Sequence, residues 1–147
     1  MAQTKPLEHQ PAPQVLLRNK ITHHAPLGIP VIDESIWKTL VTMERSGRPG
    51  ALQTILSLYL SDSRRLLLEI RKAIYTRDVS RLNAEAYQLK SASAQVGALA
   101  AAHHSGEIER LAREEQLDVA TNLLEPLEQS VEMACRIFEG TLRAKAA

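Results

Sequence analysis

Apolar positions recur along most of this chain with the period of an α-helix. Leu82, Leu89 and Val96 repeat every seven residues with small side chains between them, so one stripe of that segment enters a core while another stays in water. Upstream, Leu52, Ile55, Leu56, Tyr59, Leu60, Leu66, Leu67, Ile70, Ala73 and Ile74 hold the same rhythm over 51–76, about seven turns and the longest helix expected. Before it, Asp33 is placed to cap a short amphipathic helix carrying Ile36, Trp37, Leu40, Val41 and either Met43 or Glu44. Glycine and proline break the chain between Arg45 and Gly50. Asp78 is placed to cap a helix over 79–96, and Gly97 marks a short turn. Ala101, Ser105, Ile108, Leu111 and Ala112 then give the apolar edge of a helix over about 98–115. A last helix over about 118–139 turns Ala120, Leu123 or Leu124, Leu127, Val131, Ala134 and Phe138 inward, and Gly140 is expected to stop it. Pro126 should bend it unless the helix starts there.

No segment alternates apolar and polar residues with the strand period, and the loops are short. The expected fold class is all-α: an antiparallel up-down four-helix bundle with a short additional N-terminal helix across one end. Residues 1–30 carry five of the seven prolines and no sustained period, and read as a disordered or loosely docked tail in which Val15, Leu16, Leu17 and Ile21 offer at most a short docking turn. The bundle is expected over 31–142, with a frayed terminus over 143–147.

Composition removes function classes. At 147 residues the chain suits one domain, and a net charge of +1 with 24% charged residues gives no concentrated basic face for nucleic acid. Cys135 is the sole cysteine, reads as a small buried apolar group and forms no internal disulfide. No apolar run approaches the roughly 20 residues of a membrane span, and none near the start resembles a signal peptide. These features suit a cytoplasmic monomer without membrane insertion. His9, His23 and His24 lie in the tail without a carboxylate or thiol at ligand spacing, so no metal and no cofactor are expected.

The candidate chemistry lies on the outward side of 79–96. Tyr87, Lys90, Ser91, Ala94 and Ala98 share one stripe on a helix of about 3.6 residues per turn, with Gln95 at its edge. The segment Ala86-Tyr87-Gln88-Leu89-Lys90-Ser91-Ala92, followed by Val96-Gly97-Ala98 and later by Ile108-Glu109, resembles the signature of histidine-containing phosphotransfer (HPt) domains. Tyr59-Leu60, Asp62, Leu66-Leu67, Ile70, Ala73-Ile74 and Asp78 match the pattern of the family's preceding helix. Two landmarks differ. Tyr87 stands where the family carries its phosphorylated histidine, and Ser91 where it carries a glycine that leaves room for a partner's active site.

The resemblance implies a module of two-component phosphorelay signalling whose partners are a response-regulator receiver domain and/or a histidine kinase. Family members offer an imidazole with a pKa near about 6.5 to an aspartyl phosphate. A phenol, with a pKa of about 10, is protonated at neutral pH and forms a far more stable ester, so reversible shuttling through Tyr87 is not expected. The chain is therefore expected to be a non-catalytic, pseudo-HPt binding module, with partner contacts at Tyr87, Gln88, Lys90, Ser91, Ala94 and Gln95. One alternative is an active phosphotransfer protein using His103 or His104 as phosphoacceptor. Glu107 and Gly106 nearby, with no lysine three residues on, make that site poorer. The other alternative is a helical-bundle interaction scaffold unrelated to phosphorelay. No nucleophile, base and orienting acid share a helix face at catalytic spacing, so no enzyme is expected.

Overall fold

The computed structural model describes residues 25–146, which hold six α-helices and one 3-10 turn at Pro26–Gly28. His9, Val15, Leu16, Leu17, Ile21, His23 and His24 lie outside the described residues. The helices are α1 (Glu34–Arg45), α2 (Ala51–Thr76), α3 (Val79–Val96), α4 (Leu99–Arg113), α5 (Leu117–Asn122) and α6 (Leu124–Ala146). Their starts follow the caps in the sequence. The Asp33 carboxylate accepts from the amides of Ser35 and Ile36, and that of Asp78 from Arg81. At α2 the amides of Gly50 and Leu52 are met instead by the carboxylate of Glu44, reaching across the loop.

Long α2, α3, α4 and α6 form the bundle, and cross-helix contacts fix their antiparallel register. Between α2 and α3, Tyr59 meets Ser93 at one end and Glu69 pairs with Arg81 toward the other. Between α2 and α6, Arg64 pairs with Glu139, Arg71 with Glu128, and Ser63 meets the thiol of Cys135. The interior holds Leu52, Leu56, Leu66, Ile70, Leu82, Leu89, Ile108, Leu127 and Phe138, all on the apolar edges read from the sequence. Trp37 of α1 stacks on Phe138, with centroids 6.3 Å apart, and Tyr59 meets the same ring edge-on, so α1 closes one end of the bundle. Cys135 is buried, which raises its thiol pKa.

Three expectations need correction. The last helix is two: α5 ends at Asn122, the Leu123 amide donates to the carbonyl of Ala120, and α6 begins at Leu124. Pro126 thus sits in the first turn of α6, where its missing N–H costs nothing. Gly140 does not stop that helix, which runs on to Ala146. Ala98 does not extend the outward stripe of α3: Gly97 ends the helix at φ 76°, and Ala98 turns inward, fully buried. A side chain at Gly97 would stand 3.1 Å from Cβ of Ile36, so α1 packs directly on this turn.

Residues 25–33 also close on that corner. The Asp33 amide donates to the carbonyl of Gly97, the Leu99 amide donates to that of Val31, and Ala25 is buried.

Candidate docking face on α3

One side of α3 belongs to the core. Leu82, Ala86, Leu89, Ser93 and Val96 are buried, and the hydroxyls of Ser93 and Tyr59 lie 2.9 Å apart. Burial pushes the Tyr59 phenol well above its usual pKa and keeps it neutral. The opposite side is open: Tyr87 is 53% exposed, Ala84, Gln88, Ala94 and Gln95 are exposed, and Lys90 and Ser91 are half-buried. The six positions expected to contact a partner therefore fall on one solvent-facing surface. It is shallow, because alanine and serine surround the single ring.

Lys90 does not stand free beside that ring. Its Nζ lies 2.6 Å from Oε1 of Glu109 on α4 and 5.1 Å from the centroid of Tyr87. Glu109 is only 7% exposed and its other carboxylate oxygen takes Arg113 at 3.0 Å. Asn83 donates to the Glu109 carbonyl, which ties α3 to α4 at the same level. Gly106 supplies the room for this arrangement: a Cβ there would meet Cδ of Lys90 at 3.2 Å.

The histidines on α4 part company. His103 is exposed, whereas His104 is completely buried, with Nε2 at 3.3 Å from the carbonyl oxygen of Pro26. Burial lowers the His104 pKa below the usual imidazole value. Glu107 is occupied by Arg110 at 2.9 Å.

Sequence reasoning missed Leu58, which is 58% exposed. It shares a stripe of α2 with Asp62, Arg65 and Glu69, the last of which pairs with Arg81 on α3. An apolar side chain out of phase with the core stripe was the available signal. The Lys90–Glu109 link was also missed, since only tertiary structure joins residues 19 apart on different helices.

A family profile, Hpt domain, matches residues 54–137, more than half of the chain. The chain belongs to the Hpt domain family. No curated protein sequence matches it. Among solved structures, it is similar to the maize histidine-containing phosphotransfer protein ZmHP2, with TM-score 0.80, 19% identity and coverage of 91% of this chain and 94% of that one. It is similar also to a putative histidine-containing phosphotransfer protein from rice, with TM-score 0.76, 18% identity and coverage of 91% and 93%. HptB of Pseudomonas aeruginosa PAO1 aligns with TM-score 0.69, 22% identity and coverage of 80% and 97%. At these identities the solved structures speak to the fold alone: the Hpt bundle with additional helices. Family membership supports a role in phosphorelay signalling, where Hpt domains interact with histidine kinases and response regulators. No helix of the described residues is long and apolar enough to cross a membrane.

Proposed function

We propose that this Hpt-family chain is a non-catalytic docking module, binding a response-regulator receiver domain or a histidine kinase through the α3 face centred on Tyr87 without taking up phosphate there. The observation that carries this reading is a phenol, 53% exposed, in the middle of a face of small residues at the position that the family signature gives to its histidine. A protonated phenol is a poor acceptor from an aspartyl phosphate, while a rigid half-exposed ring among small residues is a good interface anchor. Gln88, Ser91, Ala94 and Gln95 complete the contact surface, with Lys90 at its edge. The buried ring of His104 would have to leave the core to attack a phosphate, which leaves His103 as the imidazole on α4 that a partner reaches.

The test is a titration of the chain with a panel of receiver domains and kinase phosphoacceptor domains from the genome that encodes it. Binding that weakens at least about tenfold in Tyr87→Ala supports docking at this face. Binding by none, or binding indifferent to changes at Tyr87, Ser91 and Ala94, overturns it in favour of a scaffold that works through another surface.

A further inference from the structure

Lys90 is the one cation within the α3 face, and although its Nζ lies beside Tyr87, 5.1 Å from the ring centroid, three features tie it to α4. Its ammonium contacts Glu109 at 2.6 Å. Glu109 is nearly enclosed, so withdrawing Lys90 would leave a buried carboxylate with Arg113 as its sole countercharge. The lysine stem lies over Gly106, a poor helix residue in the interior of α4, where a Cβ would stand 3.2 Å from Lys90 Cδ. The other cations around the face are paired as well: Arg81 with Glu69 and Glu85, Arg65 with Asp62 at 4.0 Å, and Arg110 with Glu107 and Glu114. The surface offered to a partner is a phenol, amides and small side chains, with paired cations around it.

We infer that this face binds its receiver without regard to the receiver's phosphorylation state, because Gly106 and Glu109 stow the lysine that would otherwise read the phosphoryl charge. The inference rests on the docking reading above. Steering and salt dependence require uncompensated charge, and a neutral contact surface supplies neither. A receiver bound this way is held equally well before and after it is charged.

The experiment uses the full chain and a receiver domain found in the titration, with its aspartate either free or capped with beryllofluoride. For the wild type, affinity should change less than about twofold between the two receiver forms, and less than about twofold between roughly 50 and 300 mM NaCl. Glu109→Gln releases Lys90 and should favour the capped form at least about fivefold at the lower salt, with the preference shrinking as salt rises. Lys90→Ala added to Glu109→Gln should return the two receiver forms to within about twofold of each other, which separates release of the lysine from loss of the Glu109 charge. A wild type that already prefers the capped form fivefold, a folded Glu109→Gln that remains indifferent, or a preference that survives removal of Lys90 would overturn the inference while leaving docking intact. Failure of every receiver to bind, or of Tyr87→Ala to weaken binding, overturns both.

Discussion

The two sides of α3 follow different rules. The inner side carries Leu82, Ala86, Leu89, Ser93 and Val96, each fixed by neighbours on α2 and α4. The outer side carries Tyr87, Gln88, Ser91, Ala94 and Gln95, which little but water constrains. The inner side therefore sets the fold and tolerates little change. The outer side can exchange one exposed side chain for another at almost no cost in stability.

That contrast gives a graded set of outcomes. Leu89→Ala should lose the most, about 2–5 kcal/mol in urea unfolding, because it empties a fully buried site between packed helices. Gly97→Ala should lose about 1–3 kcal/mol, since it forces a side chain to φ 76° and against Ile36; an unchanged midpoint would mean that α1 does not rest on this turn. Tyr59→Phe removes the partner of the buried Ser93 hydroxyl and should cost about 1–2 kcal/mol by the same measurement. Tyr87→Ala should shift stability by no more than about 0.5 kcal/mol while weakening receiver binding. A large loss of stability there would erase the distinction between the two sides.

The smallest effect lies away from α3. Lys145, followed by the Leu52 amide, lowers the Glu44 pKa from 4.5 to about 2. A carboxylate held lower in the folded state stabilises it above the unfolded value, and that contribution fades as pH falls from 4.5 toward 2. Wild type should lose stability in that window slightly more steeply than Glu44→Gln, the difference being small because the pair is near the surface. Equal slopes would show that the Glu44 contacts to α2 contribute nothing.

Periodicity was enough to recover α2 and α3 to the residue and the inward side of every long helix, because core burial imposes a regular stripe that a sequence displays directly. Short-range chemistry at Asp33, Asp78 and Gly97 was equally legible. Less was visible where a single residue admits two outcomes. Pro126 bends a helix or opens one, and here it lies in the first turn of α6; Gly140 lies within α6, which runs on to Ala146, with Lys145 reaching Glu44 of α1. At the site, the helical wheel grouped Tyr87, Ser91 and Ala94, yet nothing local announces that Lys90 crosses to a carboxylate on α4. That link exists only once helices are packed.

Phosphate transfer from a charged receiver bears most directly on the central claim. Mixing the chain with a receiver domain carrying labelled aspartyl phosphate should leave all label on the receiver or released as inorganic phosphate, with none on the chain, even where the two proteins bind. Acid-labile label appearing on the chain, and lost in His103→Ala or His104→Ala, would contradict the account.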